Sequence, residues 1–410
     1  MKRYVIIGNG VAAVGCIEGI RSTDGAGEIT VISAEPHPVY CRPLISYYLE
    51  GKTDLKRMLY RDGSFLANVG CTVRYGVRAE SIDPLAKTVA LSDGAQLPYD
   101  ALCVAAGSSP FLPPMKGLES VAQKFTFQTL DDALALEQAI TPECRVLIVG
   151  AGLIGLKCAE GLHARVGSIT VCDLADRVLS SILDAAAAAR VQKHLEAQGI
   201  RFLLGDSVAQ FSAGSAEMKS GETVPFDVLV LAVGVRPNTA LVKEAGGETD
   251  RGILIDERMA TTLLDVYAAG DCAQGYDRSC GARRVLALLP NAYLQGHAAG
   301  VNMAGGDASF DRGIPMNSIG FFGLHLMTAG SYDGEMIAAD SGDAYKRFFV
   351  KDDRLKGFIL IGGTDRAGIY TAMIREQTPL HTVDFSLLTS AATSAAFSPA
   401  VRTERFGGAV

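Results

Sequence analysis

Two short glycine-rich segments have the spacing that most clearly suggests chemistry. Residues 8–13 are Gly-Asn-Gly-Val-Ala-Ala, and residues 150–155 are Gly-Ala-Gly-Leu-Ile-Gly. In such a loop the first glycine permits a tight turn, the second lets the backbone approach a pyrophosphate, and the third lets helix and strand pack closely. The helix N-terminus then offers unpaired N–H groups to the phosphates. The sequence therefore predicts two dinucleotide sites, with contacts from Gly8, Gly10, Ala12, Ala13, Gly150, Gly152, Leu153, Ile154 and Gly155.

An acidic residue stands near the end of the strand that follows each loop. Glu35 follows the first loop and Asp173 the second, and a carboxylate at this place can accept hydrogen bonds from an adenosine ribose. The alternative is a solvated loop carboxylate, which has more weight for Glu35 because it lies two residues further past its strand. Asp173 would repel a 2′-phosphate, so NAD(H) is predicted to be preferred over NADP(H). Arg177 is close enough in sequence to weaken that argument.

A third motif indicates which nucleotides the two sites hold. Residues 266–271 (VYAAGD) form an apolar run that ends in Gly270 and Asp271. The glycine permits close approach, and the aspartate can bind a ribityl hydroxyl of a flavin. Alone, this would be an ordinary strand and turn. Because it follows two nucleotide-binding patterns, it predicts FAD as one of a pair of nucleotides that exchange electrons.

The elements that position these residues occur twice in the chain. The runs RYVIIG (3–8) and RVLIVG (145–150) each precede a helical pattern and a second apolar run, EITVIS or SITVCD. Each half later carries a strand that begins with aspartate and ends in glycine, at residues 100–107 and 227–234. Short apolar runs that alternate with helices predict parallel strands buried on both faces. We therefore predict an α/β fold with two Rossmann-like domains.

The rest of the chain is less regular. Residues 184–199 are predicted to form an alanine-rich helix that ends at a glycine, and residues 110–114 (PFLPP) a linker that leaves the first domain. From about residue 310 the apolar runs become shorter, including those at residues 345–350 and 355–361. This change predicts a sheet in a separate C-terminal domain.

Composition excludes several classes of protein. The 410 residues carry a formal net charge of −7 and are 48% hydrophobic, which indicates a globular chain and disfavours a nucleic-acid partner. No apolar stretch approaches the roughly 20 residues of a membrane helix, and the N-terminal apolar run is too short for a signal peptide. We therefore expect a cytoplasmic protein without a membrane partner.

The nine cysteines lack metal-ligand spacing, so no metal site is expected, and Cys103, Cys158 and Cys172 are interpreted as core residues.

Together these motifs resemble a known family. Beside the two loops and Gly270-Asp271, residues 105–107 (AAG), 234–237 (GVRP), 40–46 (YCRPLIS) and 366–372 (RAGIYTA) carry the likeness. The sequence resembles the FAD-dependent pyridine nucleotide-disulfide oxidoreductases over nearly its whole length. Within them it is similar to rubredoxin reductases, ferredoxin reductases and the flavin module of assimilatory nitrite reductases.

The resemblance implies a domain order and further site residues. It implies an FAD domain in two segments (1–112 and 237–309), an NAD(P)-binding domain inserted between them (113–236), and a C-terminal α+β domain (310–410) that covers the flavin and often supports homodimers. It places Gly234 at the NAD site. The FAD contacts that it adds are Arg42, Pro43, Val77, Ala106, Gly107, Leu289, Pro290 and Asn291. For Arg42 the alternative is a surface salt bridge.

Two positions depart from the family pattern. Many relatives have a glutamate near the nicotinamide, two residues after the last glycine of the second loop, where this chain has Lys157. Ferredoxin reductases often have a lysine just after the serine of the Arg-Pro segment, where this chain has Tyr47. Because of the first departure, the contact that relatives make with the nicotinamide carboxamide is not carried over to this chain. Lys157 is still expected near the nicotinamide.

The acceptor of the electrons is not a cysteine pair, because the sequence has none of the kind that disulfide-reducing relatives use. We therefore expect NADH to reduce the flavin, and the flavin to pass electrons to an external acceptor such as rubredoxin, ferredoxin or an iron–sulfur partner. One alternative is an NADH oxidase or thiol-dependent disulfide reductase that uses Cys41; pairing of Cys272 with Cys280 has less support. Another is a nucleotide-binding redox sensor that turns over slowly.

Overall fold

The structure, a computed structural model, describes residues 1–406, so the last four residues of the predicted C-terminal domain lie outside the described part. The first segment begins a sheet of parallel strands in the order β19-β7-β1-β2-β3, in which β19 (Val266–Ala268) comes from later in the chain. A small antiparallel sheet, β4-β5-β6, is inserted between β3 and β7. The elements of this segment are β1 (Arg3–Ile7), α1 (Val11–Thr23), β2 (Glu28–Ser33), α2 (Ile45–Leu49), α3 (Phe65–Asn68), β3 (Cys71–Tyr75), β4 (Ala79–Asp83), β5 (Thr88–Leu91), β6 (Gln96–Pro98), β7 (Ala101–Val104) and β8 (Ser108–Pro110).

The second segment repeats the same plan. Its parallel sheet has the order β12-β11-β10-β16-β9, beside a three-stranded sheet, β13-β14-β15. At the end of the segment β17 pairs antiparallel with β8, where the chain crosses back. The elements are β9 (Lys124–Phe125), α4 (Leu130–Ala139), β10 (Arg145–Val149), α5 (Leu153–Leu162), β11 (Ser168–Asp173), α6 (Ala185–Glu196), β12 (Arg201–Leu204), β13 (Val208–Ser212), β14 (Ser215–Met218), β15 (Thr223–Pro225), β16 (Val228–Leu231) and β17 (Val235–Pro237).

The third segment completes the first sheet with β19 and covers it with a long helix, α8. Glycines make the contact between α8 and α1 possible: a Cβ at Gly15 would overlap the Tyr293 carbonyl oxygen, and one at Gly296 would overlap the Ala12 carbonyl oxygen. The two helices run in the same direction, so both N-termini reach the same end of the sheet. The elements are α7 (Ala240–Glu244), β18 (Ile253–Leu254), β19 (Val266–Ala268), β20 (Ala273–Asp277), β21 (Ala282–Val285) and α8 (Leu289–Met303).

The C-terminal segment forms an antiparallel sheet in the order β22-β23-β26-β25-β24. One face packs against α9 and α10 through Phe348, Phe358 and Tyr370, and the other joins the core of the second segment through Phe321, Leu326 and other residues. This sheet therefore packs on the second segment. The elements are β22 (Met316–Phe321), β23 (Leu324–Gly330), β24 (Glu335–Ala338), β25 (Tyr345–Lys351), β26 (Arg354–Ile361), α9 (Gly368–Glu376), α10 (Phe385–Ser390) and α11 (Pro399–Phe406).

The predicted fold class is confirmed by these two parallel sheets and the C-terminal α+β unit. The alanine-rich helix is slightly shorter than predicted, because Asp184 is its N-cap and accepts a hydrogen bond from the Ala187 N–H at 2.8 Å. Within the described residues, no helix combines the length and apolar character needed to cross a bilayer. The domain boundaries stay a prediction.

Candidate functional site

The first glycine loop has the geometry that its sequence predicts. Gly8 has φ +110°, and a Cβ there would overlap the carbonyl oxygen of Ala105, which directly follows the neighbouring strand β7. Gly10 is different, because a Cβ there would meet no atom within 4 Å. The second glycine therefore faces open space at the start of α1, as a backbone that receives a pyrophosphate must.

The second loop reproduces this arrangement position by position. Gly150 has φ +118° and faces the Ala232 carbonyl oxygen, whereas a Cβ at Gly152 would meet nothing within 4 Å. A Cβ at Gly155 would overlap the Gly150 carbonyl oxygen, so the third glycine is needed for close packing. In the first loop Ala13, fully buried, takes this position. The duplication seen in the sequence thus produces two equivalent cradles, with Leu153 and Ile154 opening the second helix.

The Gly270-Asp271 motif lies where α1 and α8 begin. Gly270 has φ +80°, and its Cβ would approach the Cβ atoms of Ala12 at 3.1 Å and Ala292 at 3.5 Å. Its N–H donates to the buried Gln295 Oε1 at 2.9 Å. Burial raises the pKa of Asp271, while the Arg42 charge opposes the shift. The motif therefore lies beside the first cradle, where α1 and α8 begin.

The other predicted FAD contacts lie near the ends of β2 and β7 and at the start of α8. Gly107 has φ +65° and open space beside it, and the Ala106 carbonyl oxygen accepts a hydrogen bond from Asn238. The Val77 N–H donates to the Ser33 carbonyl oxygen at 3.0 Å. Leu289, Pro290 and Asn291 form the first turn of α8, and Asn291 donates to the Ile314 carbonyl oxygen at 3.1 Å.

Arg42 forms a salt bridge with Glu35, which is the alternative stated for Arg42, although the sequence did not identify its partner. The Arg42 guanidinium donates to Glu35 Oε1 at 2.7 Å and to the Gln128 carbonyl oxygen at 2.9 Å. The second Glu35 oxygen accepts from the Tyr40 hydroxyl at 2.7 Å. Arg42 thus forms a salt bridge, with 40% of its side chain exposed, and the pair links the ribose candidate to the Arg-Pro segment. Pro43 follows in an exposed position.

Next to Arg42, the Gln128 side chain has a buried oxygen that is unpaired among the described residues. Its side-chain nitrogen donates to the Ser108 carbonyl oxygen at 2.9 Å, whereas its Oε1 is buried and finds no hydrogen-bond partner within the described residues. Buried polar atoms are normally hydrogen-bonded. A polar ligand beside Arg42 would satisfy it.

Asp173 is held at the edge of the second cradle. Its carboxylate accepts from the Ala151 N–H at 2.6 Å and from the Ala175 N–H at 2.8 Å. Arg177 donates to Asp176 at 2.8 Å. Gly234 has φ +115° and open space beside it. The acid is thus fixed next to the loop, while Arg177 pairs with Asp176 and keeps a buried Nε that finds no hydrogen-bond partner among the described residues.

The two departures from the family pattern meet in space. The Lys157 ammonium lies 4.6 Å from the centroid of the Tyr47 ring and forms an ion pair with Glu160. It also donates to the Gly320 carbonyl oxygen at 3.3 Å. Glu160 was missed at the sequence level, although its position three residues after Lys157 places both on one face of α5.

No cysteine stands out as a redox group. Burial raises the pKa of Cys41, which disfavours the reactive thiolate, and the neighbouring guanidinium is directed to Glu35 instead. Burial also raises the pKa of Cys272 to about 12. All nine cysteines are free, and Cys280 is exposed while Cys272 is buried. Among the described residues no group of three or more His, Cys, Asp or Glu side chains is placed to hold a metal ion.

The residues fit a pair of dinucleotides. The open space at Gly10 and Gly152, the helix N-termini behind them and the unpartnered Gln128 oxygen supply room, partial positive charge and a polar contact. The two halves that carry the cradles pack on each other through α2 and α5, since a Cβ at Gly161 would lie 2.8 Å from the Ser46 carbonyl oxygen.

Comparison with known proteins gives the family. Residues 2–296 match the pyridine nucleotide-disulphide oxidoreductase family, and residues 315–378 match the rubredoxin NAD+ reductase C-terminal domain. The chain belongs to the pyridine nucleotide-disulphide oxidoreductase family. This confirms the resemblance, and with it an oxidoreductase for which the family implies FAD and a nicotinamide nucleotide.

Several curated members of the family are similar over most of this chain. It is 31% identical to the NADH-dependent phenylglyoxylate dehydrogenase subunit epsilon of Aromatoleum evansii, covering 92% of each chain. It is 30% identical to a nitric oxide reductase FlRd-NAD(+) reductase of Salmonella agona, covering 87% of this chain and 97% of that protein. It is also 30% identical to the assimilatory nitrate reductase electron transfer subunit of Bacillus subtilis, covering 92% of this chain but only 50% of that protein.

Solved structures of other proteins share the fold. The putidaredoxin reductase of a covalent complex with putidaredoxin superposes with a TM-score of 0.88 at 24% identity, covering 96% of this chain and 97% of that one. A ferredoxin reductase from Rhodopseudomonas palustris gives a TM-score of 0.87 at 24% identity, covering 97% and 100%.

Proposed function

We propose that this protein is an FAD-dependent NADH oxidoreductase that passes electrons to a separate carrier protein of the rubredoxin, ferredoxin or iron–sulfur type. The observation that carries the proposal is the pair of open glycine cradles on packed halves of the molecule, joined through α2 and α5. Two such sites on halves that pack together suit two nucleotides that react with each other. Similarity to a FlRd-NAD(+) reductase supports a protein acceptor, as does the match to a rubredoxin reductase C-terminal domain.

The protein's own part is binding, orientation and charge. When bound, FAD supplies the redox chemistry, because its ring system accepts a hydride from NADH and releases the electrons to an acceptor. Gly8, Gly10 and the N-terminus of α1 would hold the pyrophosphate. Asp271 would accept a hydrogen bond from a ribityl hydroxyl, and Arg42 would offset the negative charge beside it. No protein nucleophile is needed in this scheme.

The nucleotide substrate is assigned to NADH through Asp173. Its carboxylate is fixed by two backbone N–H groups at the mouth of the second cradle, where a 2′-phosphate would meet a negative charge. Arg177 is engaged by Asp176. The name of the Aromatoleum evansii relative, an NADH-dependent enzyme subunit, agrees with this choice.

A second candidate function is an NADH oxidase or a reductase that cycles through Cys41. A relative named NADH oxidase from Methanocaldococcus jannaschii, 32% identical over 75% of this chain, favours it. The raised pKa of Cys41 argues against it, because the thiolate is the reactive form. The carrier-dependent function is therefore preferred.

An anaerobic titration tests the proposal. The purified protein is expected to contain FAD, to be reduced rapidly by NADH, and to take up two electrons per chain. In a separate assay in air, the reduced form of a rubredoxin-type or ferredoxin-type carrier should be produced faster than hydrogen peroxide or water. FMN or no flavin, slow reduction by NADH, or a four-electron uptake would each contradict the proposal.

The cysteine variant Cys41→Ser separates the two candidate functions. Under the carrier-dependent function, electron transfer to a carrier protein or a one-electron dye should stay within about threefold of wild type, under about 1 kcal/mol. A hundredfold or greater loss of turnover with flavin reduction intact would place Cys41 in the catalytic cycle. The exposed Cys280→Ser is the matched control, since its thiol lies in another part of the chain.

A further inference from the structure

Two adjoining cavities lie between α8 and the C-terminal segment. The first, of about 360 Å³, is lined mainly by β22, β23 and α9. The second, of about 470 Å³, is lined by Leu294 of α8, by residues 309–312 and by Arg375. Arg312 and Arg375 line both cavities. None of the lining residues is a predicted contact of FAD or NAD, so the cavities are separate from both nucleotide sites.

Two methionines form one wall of the first cavity. Met316 and Met327 belong to neighbouring strands, and Met327 pairs with Ser318, two residues from Met316. Because side chains alternate between the faces of a sheet, both methionines lie on the same face. Thioethers are polarisable, adapt their shape and make favourable contacts with aromatic rings. This wall therefore suits a flat apolar group.

Helix α9 supplies a second wall of the first cavity. Gly368, Thr371, Ala372 and Arg375 line it, and their spacing is that of one helix face. A Cβ at Gly368 would meet no atom within 4 Å, so this face begins beside open space. It includes part of residues 366–372, the segment that carries some of the family likeness and has no place in either nucleotide site.

The two arginines have hydrogen-bond donors left for a ligand. Among the described residues, the Arg375 side chain forms no hydrogen bond or ion pair. The Arg312 side chain is 74% exposed, and its Nε lies 4.0 Å from an oxygen of Asp311. A guanidinium has five N–H donors in a fork that matches a carboxylate. The cavities thus combine apolar walls with unused donors where they meet.

The acids that line the cavities do not balance these cations. Asp311 lines the second cavity and Glu376 the first. Arg278 also approaches Asp311, at 3.5 Å, and so adds a third guanidinium at this place. The Arg278 Nε is buried and has no hydrogen-bond partner in the described part of the chain. The surplus of positive charge favours an anionic ligand.

The segment that carries Arg312 is fixed on both sides. The Gly313 carbonyl oxygen accepts a hydrogen bond from the Arg278 N–H at 2.8 Å, and the Ile314 carbonyl oxygen accepts one from Asn291 at 3.1 Å. Ile314 is fully buried. Both cavities also reach the roughly 300–1,000 Å³ of small-molecule sites. A site that is formed before its ligand arrives loses less entropy on binding.

We propose that the first cavity binds a small aromatic carboxylate. The ring lies between the two methionines and the α9 face, and the carboxylate accepts hydrogen bonds from Arg312 and Arg375. This site goes beyond the proposed electron-transfer function, because it gives the protein an organic anion as a ligand besides its two nucleotides. A carboxylate and an aromatic body are both required: the first pairs with the guanidinium groups and the second fills the apolar part of the cavity.

The test is a calorimetric titration of the oxidised, flavin-loaded protein with 2-naphthoate. The neutral 2-naphthamide is the matched ligand, because it has the same ring system without the charge. Naphthoate should bind with a dissociation constant of about a millimolar or less. Naphthamide should bind about tenfold more weakly or worse, since hydrogen bonds between two charged groups are the stronger ones. NADH and a carrier protein are absent, so the result does not depend on the proposed function.

Three variants test the walls and the charge. Arg375→Met and Arg312→Met keep an apolar side chain but remove the donors, so each should raise the dissociation constant of naphthoate about tenfold. Ala372→Leu places a larger side chain in the first cavity and should weaken naphthoate and naphthamide alike. If Arg375→Met does not fold, Arg312→Met decides, because Arg312 is mostly exposed.

The matched control is Arg283→Met. Arg283 is exposed on β21 and lines neither cavity. Its hairpin lies beside the Arg312 segment, as the hydrogen bond from Arg278 to Gly313 shows. The variant removes the same charge from the same region, so it should bind naphthoate within about twofold of wild type. Flavin content and melting temperature are recorded for every variant, so that lost binding is distinguished from misfolding.

Four results would overturn the inference. They are no heat of binding at millimolar naphthoate, equal affinity for naphthoate and naphthamide, and an equal loss in Arg283→Met and Arg375→Met. The fourth is naphthoate affinity that Arg375→Met leaves unchanged while electron transfer to an acidic carrier protein slows. That outcome would assign the arginines to the acidic side chains of a carrier and not to a free organic acid.

Discussion

At the scale of single residues, we expect Asp173 to decide which nicotinamide nucleotide is preferred. The Asp173 carboxylate is fixed by backbone N–H groups at the second cradle. We expect flavin reduction to favour NADH over NADPH about tenfold in kcat/KM, on the order of 1.4 kcal/mol. Asp173→Asn keeps an acceptor oxygen but removes the charge, so it should reduce this preference. Equal efficiency of both nucleotides with the wild-type protein would show that Arg177 or another cation outweighs Asp173; Arg177→Ser tests that outcome.

Asp271, the proposed flavin-binding residue, is expected to lower the stability of the flavin-free protein. Burial raises its pKa, so the folded state favours the neutral carboxyl, and stability is lost as the pH rises above the ordinary value of about 3.9. Asp271→Asn should therefore increase the melting temperature of the flavin-free protein at pH 7 and have less effect near pH 4. The same variant should retain less FAD. An apoprotein that Asp271→Asn destabilises at pH 7 would contradict this account.

At the scale of elements, the approach of α1 and α8 decides where the FAD site lies. Four glycines allow the two backbones to touch, two on each helix: Gly15, Gly19, Gly296 and Gly300. Gly296→Ala would place a methyl group against the Ala12 carbonyl oxygen at the start of α1. It should cost about 1–3 kcal/mol of stability through overpacking and lower FAD occupancy.

The control for this change is Gly368→Ala. Gly368 begins α9, has ordinary backbone angles, and a Cβ there would meet nothing within 4 Å. Its variant should melt at or slightly above the wild-type temperature, since alanine is the better helix former. Thermal unfolding and extracted flavin are measured for both. If Gly296→Ala retains wild-type stability and flavin, α8 is not held at this distance by its glycines.

At the scale of the whole molecule, each of the two duplicated halves has an equivalent ion pair at the start of its first strand. Arg3 donates to Asp100, and Arg145 donates to Asp227, in each case through the backbone N–H and the guanidinium. These hydrogen bonds lower the pKa of each aspartate to about 2. Because the folded pKa is depressed, the stabilisation is present above the unfolded value of about 3.9 and is lost as the pH falls towards 2.

Both halves should therefore lose this stabilisation over the same acid range. The Asp100→Asn/Asp227→Asn variant should melt below the wild-type temperature at pH 7, and the difference should shrink between about pH 4 and pH 2. The effect should be modest, because both pairs are exposed. A difference that does not change with pH would show that the variants act through packing and not through charge.

The sequence by itself determined the two cradles, the paired βαβ units and the family. These features depend on local backbone requirements: glycines at fixed spacing, buried apolar runs and helix starts. Gly8 and Gly150 have the positive φ values that their loops require, and the strands lie at the predicted places. Such requirements act within a few residues, so they can be inferred from residue order.

Only the tertiary structure decided how the remaining charges are arranged. Arg42 pairs with Glu35, Lys157 lies over Tyr47, and Glu160 binds the turn at Phe322, which is 162 residues further along the chain. The identity of a side chain does not specify which distant group will compensate its charge. That choice depends on how the α5 face, α2 and the C-terminal sheet pack together, because a buried charge is stable only where packing brings a partner within reach.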